Sequence, residues 1–538
     1  MQFYSFDMRD PIFDVDGWRL SFQVITLENT YGLDPEKTTL EGRIDSWELD
    51  CRRLAWAGQQ QKALGRFRVW ATRNGEGQIE LRMSAETEQK IRCVKVLIRG
   101  LGDVVMFDPD ERQESAVPLE GEINAYPNRL KTPVFFVKTT SGSYLAFRSE
   151  DRKVRAKRFA VYRERMGSHS GSYTVELIHE ETATGFDTKI FTPTWVLGRD
   201  QNPGRFHEEY LAFAEAEEGL GLVPWERRTD MPDWVRNITL CLTFHGMHWS
   251  GYVFNTYERM LEIIRYVADR IDGNRVLAYL PGWEGRYYWQ YGDYRPEPRM
   301  GGEEGFWELC QGSRGLGAHV MPMFGGNCAN AWLQNFHHFG PEAHMKTATR
   351  NRFHGNTPDW DISRAHDTGW QAWLNPGAPA WRRELTRQIT RLADEYGFDA
   401  IFLDTLHVWA NDPDHDVYEG IKMLKESIAK NRPDLLVMAE NWYDGLLKVF
   451  PLFQEELLRK QPRWLSRYAR VLSHVLEAEP SRGSTGVHEL GYHPYEQKPV
   501  AEALIPTIAF VDGTFEGSKD ALDAVIDQAH RYEKEFLR

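Results

Sequence analysis

The sequence predicts an α/β fold, a (β/α)8 TIM barrel preceded by an antiparallel β-sandwich domain. Three observations carry that expectation. At 538 residues the chain exceeds the roughly 250–300 residues at which a single hydrophobic core stops growing, so more than one domain is expected. Up to about residue 225 the apolar residues recur with period two. Beyond it, short apolar runs alternate with stretches of helical period, the mark of βα units on a parallel sheet. The expected division is a β-sandwich-like domain over 1–230 and a barrel over 231–538.

In the first part, GRFRVWATRNGEGQIELRMSAE, CVKVLIRGLGDVVMF, PVFFVKTTSGSYLAFRS and GSYTVELIHEETATGF read as strands. Turn signals such as Asn74-Gly75 and Ser141-Gly142 join them, as in antiparallel hairpins. No reactive constellation stands out there, so a structural or substrate-shaping role is expected. The pattern changes around Pro224 to Trp234.

The barrel elements follow in order. ITLCLTF (238–244) leads to a helix near 255–271, RVLAYLP (275–281) to one near 303–314, and AHVMPMF (318–324) to a long insertion and a helix over 380–396. FDAIFLD (398–404), a helix over 417–431 and LLVMAE (435–440) come next. ARVLSHV (469–475), a weaker unit near 486–490, and PTIAFVD (506–512) with a final helix bring the count to eight. Such a barrel builds its site at the C-terminal strand ends. That rule selects His245, Trp283, Glu284, Asp404 and Glu440, and more weakly His474, His488 or Glu489, and Asp512.

Composition narrows the partner. A formal net charge of −14 argues against nucleic acid, whose binding relies on Lys and Arg neutralising phosphates. The 19 Trp and 22 Tyr suit stacking on sugar faces, although many such rings belong to any core. Five scattered cysteines, none in a CxxC pair, write neither a disulfide framework nor a zinc knuckle. No apolar run reaches the length of a membrane helix, and the N-terminus lacks the basic start of a signal peptide. A cytoplasmic protein is expected, or a secreted one if a leader has been removed.

Asp404 closes one apolar strand and Glu440 the next, where a charge needs a partner or a purpose. A salt bridge or a helix cap would satisfy either acid. Together, on neighbouring strands, they match the two carboxyl groups that glycoside hydrolysis requires. Asp404 is assigned as the nucleophile, its short side chain suiting direct attack, and Glu440 as the acid/base, beside apolar cover from Trp442.

The stretches GFDAIFLDTLHVW and LLVMAENWYDG, preceded by NPGAPAWRRELTRQITRLADEYG, resemble the catalytic core of retaining α-glycoside hydrolases. Among these the endo-α-N-acetylgalactosaminidase-like families are the nearer match and the α-amylase clan the more distant one. The resemblance implies an Asp nucleophile on strand four and a Glu acid/base on strand five, which fall on Asp404 and Glu440 here. It also implies α-linkage; no cofactor is expected. The Arg found two residues before the nucleophile in the α-amylase clan is replaced by Phe402.

Around the pair, GWEGRYYWQYGDYRPEPRMGGEEG interleaves Trp283, Tyr288, Tyr291 and Tyr294 with Glu284 and Asp293, as a sugar subsite would. Self-packing of the loop explains those rings equally well. His245, His407, Trp442 and Asp512 are further expected carbohydrate contacts, and Glu284 is a rival acid. The insertion from Gly325 to Trp373 holds Asn327, His337, His338, His354, Asp359, Trp360, Asp361 and His366. Its histidines, with His245, His248 and His407, open a second reading as a metal-dependent hydrolase or deacetylase. HGMH lacks the HxH spacing of barrel metallohydrolases, so no metal is expected. A non-catalytic carbohydrate-binding protein is the third reading.

Overall fold

The computed structural model describes residues 10–165, 170–248, 251–286, 288–353, 371–455, 461–473, 500–511, 514–517 and 519–537. The chain forms two compact units. One comprises Met1–Leu222 with Tyr443–Gly445, the other Val223–Trp442 with Leu446–Arg538.

The first unit is a large antiparallel sheet of eighteen linked strands. Its hub is the 23-residue strand Ile79–Leu101, which pairs with Trp18–Thr26, Gly65–Arg73, Tyr173–Glu180, Asp187–Phe191 and Thr194–Gly198. Along Ile79–Ala85 every second residue is buried, the period-two pattern that fixes register by sending one face to the core. Phe22, Phe67, Leu81, Val96, Phe147, Phe159 and Trp195 meet in that core. Each such side chain contributes about 1.5–3 kcal/mol by leaving water. A single 13-residue helix, Pro203–Glu215, follows, capped by the Asn202 side chain on the Arg205 amide.

The second unit is built on a nine-stranded, wholly parallel sheet that curls into a nearly closed barrel. In chain order its strands are Leu240–Phe244, Val276–Leu280, His319–Gly325, Ala400–Asp404, Leu436–Glu440, Leu452–Glu455, Arg470–Ser473, Leu504–Ile505 and Thr507–Phe510. The eighth pairs with the seventh and the ninth with the first. Only Pro506 separates eighth from ninth, and its carbonyl accepts the Cys241 amide of the first strand at 2.9 Å. Having no N–H, Pro506 interrupts the strand without leaving a donor unpaired.

Three helices anticipated from periodicity fall at Tyr257–Ala268, Pro379–Tyr396 and Val417–Asn431. Pro379–Tyr396 buries Trp381, Leu385, Ile389, Leu392 and Tyr396, the i, i+4 stripe of a surface helix, and ends on Gly397 in the left-handed conformation. Asp416 caps Val417–Asn431 by accepting the Glu419 amide.

The strand count needs one correction. The sixth strand is Leu452–Glu455, which the sequence reading passed over, so ARVLSHV supplies the seventh strand rather than the sixth. The weaker unit near 486–490 lies outside the described residues. Within the insertion, Cys328–Asn330 and Gln371–Trp373 form a two-stranded ribbon, and a 3-10 turn covers Gln334–His338.

Candidate active site

The fourth and fifth strands run in parallel register with Leu403 opposite Ala439, so Asp404 and Glu440 are the next positions on adjacent strands. Asp404 is buried. Its ionisation is pushed well above the usual carboxylate range, first by burial and then by the neighbouring Glu440 carboxyl. The hydroxyl of Tyr291 donates to Asp404 Oδ2 at 2.8 Å and works in the opposite direction. Glu440 Oε2 accepts the Thr405 backbone amide at 3.0 Å. His407 Nδ1 lies 3.3 Å from the same oxygen, off the hydrogen-bond direction.

The backbone turns sharply after each acid. Thr405 (φ 66°) and Asn441 (φ 51°) both occupy the left-handed region. For Thr, a β-branched residue, this conformation is strained, and strain of this kind gathers at functional sites. It aims the Thr405 amide at Glu440 while the Thr405 hydroxyl donates to the Asp404 carbonyl at 2.7 Å.

Gly325 makes the approach of Tyr291 possible, and Gly326 the packing of Leu406 and the backbone beside Asp404. A Cβ on Gly325 would stand 2.3 Å from the Tyr291 ring, and one on Gly326 would stand 2.5 Å from Leu406 and 3.1 Å from the Asp404 carbonyl. Gly325 also donates its amide to the Tyr294 hydroxyl at 2.7 Å, holding the neighbouring ring in the same layer.

A third carboxyl belongs to this layer. Glu284, in the turn after the second strand, is 1% exposed, and neither of its oxygens makes a well-formed hydrogen bond among the described residues. Burial pushes its ionisation up to about 8, with only its own backbone amide opposing. Its charge in turn acts on Asp404, Tyr291 and Tyr294.

The other expected contacts divide. Tyr288, buried and at φ 62°, packs its ring edge-on against Tyr291. His245 is buried at the end of the first strand, its amide donating to the Phe510 carbonyl at 3.1 Å. Trp442 is buried and meets Trp464 edge to face.

Two expected contacts sit apart from the others. Trp283 packs against Phe306 and Phe324 and donates its indole N–H to the Met323 carbonyl at 2.8 Å, so it is a fully buried core residue with no face left for a sugar. Asp293 is half-buried, and its charge acts on Arg387 of the Pro379–Tyr396 helix. Asp512 lies outside the described residues, as do His354, Asp359, Trp360, Asp361, His366, His474, His488 and Glu489. Asn327 is buried and donates to the Val408 carbonyl at 2.9 Å, while His337 and His338 are exposed. Among the described residues no three His, Cys, Asp or Glu side chains are placed to share a metal ion, and no described helix is long and apolar enough to cross a membrane.

Sequence reasoning placed Tyr291 in the aromatic loop but gave it no role, and it missed Thr405, Gly325 and Gly326. A Gly-Gly pair directly after an apolar strand was the available signal for the last two.

No protein-family model and no curated protein matches the chain. Solved structures do match. The α-N-acetylgalactosaminidase NagBb from Bifidobacterium bifidum, as a quadruple mutant, superposes with a TM-score of 0.60 at 13% identity, over 99% of this chain and 93% of that one. The same enzyme in complex with GalNAc gives 0.58 at 15% identity, over 82% and 75%. The GH36 α-galactosidase AgaA from Geobacillus stearothermophilus gives 0.52 at 11% identity, over 95% and 75%. The structural homologues are thus glycoside hydrolases, and at these identities the likeness establishes a shared fold.

Proposed function

We propose that this chain is an α-glycoside hydrolase of oligo- or polysaccharides acting by a retaining double displacement, on a (β/α)8 barrel preceded by a β-sandwich. In that count the short eighth and ninth strands form one strand interrupted at Pro506. The observation that carries the proposal is the placement of Asp404 and Glu440 at the next positions of adjacent parallel strand ends, where Glu440 raises the ionisation of the buried Asp404. Two carboxyls that close share one proton, which supplies the anion and the acid that the mechanism needs. A retaining enzyme keeps its two carboxyl groups roughly 5–5.5 Å apart, and neighbouring strands suit so short a separation.

Asp404 attacks the anomeric carbon and forms a glycosyl ester. Glu440 protonates the departing oxygen, then removes a proton from the water that hydrolyses the ester. A glycone entering between the carboxyls separates them and leaves the proton with Glu440, while Tyr291 stabilises the Asp404 anion. Glu284, Tyr288, His245, His407 and Trp442 surround the glycone, and Asp512 is proposed to join them from the last strand. The sugar-bound homologues support a carbohydrate as the ligand, and their names support the α-linkage. The test is the anomer first released from an α-glycoside, read by proton NMR before mutarotation. Retention is expected, and inversion would overturn the double displacement.

A further inference from the structure

Five residues carry the chain from the proposed acid/base into an unusual anchorage. After Glu440 come Asn441, Trp442, Tyr443 and Asp444, and Tyr443–Gly445 group with the N-terminal unit although the residues on both sides belong to the other. Asp444 is fully buried, and its carboxylate accepts three hydrogen bonds. The Tyr126 hydroxyl donates at 2.6 Å, the Gly445 amide at 2.7 Å, and the buried Tyr210 hydroxyl also donates. The Asp444 amide donates to the Lys131 carbonyl at 2.9 Å, and the Tyr443 ring meets that of Tyr126 edge to face. At the other end, the Asn441 amide is fixed to the Gln454 carbonyl at 2.7 Å.

A buried carboxylate is a costly way to stabilise a fold, since an apolar residue of similar size would serve as well or better. What three converging donors add is a fixed position. We propose that Asp444, gripped by Tyr126 and Tyr210, is a positioning residue that holds the segment after Glu440 so that this carboxyl meets the glycosidic oxygen. The inference rests on the reading of Glu440 as the acid. The tether is short. Three intervening residues span at most about 3.5 Å each, so a shift at Asp444 passes into the turn at Asn441, where the backbone is already left-handed.

A misplaced acid harms only reactions that need it. A leaving group such as 2,4-dinitrophenolate departs without a proton, whereas methanol or an unsubstituted phenol requires one. The experiment therefore compares kcat/KM for the two kinds of α-glycoside in wild type, Asp444→Asn, Tyr126→Phe and Tyr210→Phe. In Asp444→Asn the poor leaving group should lose about tenfold or more, and the activated one less than about twofold. The tyrosine variants should show smaller losses of the same kind, and they carry the test if Asp444→Asn fails to fold. Equal losses on both substrates, or none on either, would overturn the positioning role while leaving the glycosidase reading intact. A folded wild type inert on both would overturn that reading and this inference with it.

Discussion

The Tyr291 hydroxyl donates to Asp404 Oδ2 at 2.8 Å from a loop that follows the second strand, more than a hundred residues away in sequence. This hydrogen bond favours the ionised form of a carboxyl that burial and Glu440 push toward neutrality. Tyr291→Phe removes it. A hydrogen bond to a charged group contributes roughly 1.5–3 kcal/mol, so the acidic limb of the kcat/KM profile should move up by about one to two pH units. A pH–rate profile that keeps its limb in place would separate Tyr291 from the proposed nucleophile.

Gly325→Ala tests the same contact from the other side. The added methyl overlaps the Tyr291 ring and stands 2.8 Å from the Cys328 carbonyl, so the ring must move away from Asp404. The variant should show the pH shift of Tyr291→Phe, together with roughly 1–3 kcal/mol of lost stability from overpacking. Combining the two changes should add little further loss of activity, and additive losses would show that Gly325 acts elsewhere.

Glu284 predicts a pH dependence of stability. The unfolded chain ionises this side chain near pH 4.3, the folded protein only near pH 8, so the folded state holds the extra proton between them. Its contribution is fully present below the lower value and is lost as pH rises through the upper one, on the order of 5 kcal/mol in all. Glu284→Gln should leave the unfolding midpoint nearly unchanged at pH 4.5 and raise it relative to wild type at pH 8.5. Parallel curves for the two proteins would mean that Glu284 is ionised in the fold.

Azide separates the two catalytic assignments. Both Asp404→Asn and Glu440→Gln should lose several orders of magnitude in turnover. With azide, the acid/base variant should give a glycosyl azide of retained configuration and the nucleophile variant one of inverted configuration. The opposite pattern would exchange the roles.

The carboxylate pair was legible because each acid ends a run of buried apolar residues, which puts it at a strand mouth whatever the strand's exact length. FDAIFLD reads as a strand from residue 398, whereas the strand begins at Ala400, and the Asp399 side chain before it meets His319 Nδ1 at 2.6 Å. The sixth strand was not legible. Leu452–Glu455 is four residues long, and the helix before it, Asp444–Val449, has only six, so LLKVFPLFQEE shows neither period. Tyr291 stood among several aromatic residues with no signal to distinguish it from Trp283, which packs in the core. The left-handed turns at Thr405 and Asn441 were hidden because neither position is a glycine.

The most direct test of the account is hydrolysis of a panel of aryl α- and β-glycosides by wild type beside Asp404→Asn. Turnover of an α-glycoside by wild type, abolished in a variant that keeps its unfolding midpoint, is the predicted result. Undiminished turnover by Asp404→Asn, or turnover of β-glycosides alone, would contradict it.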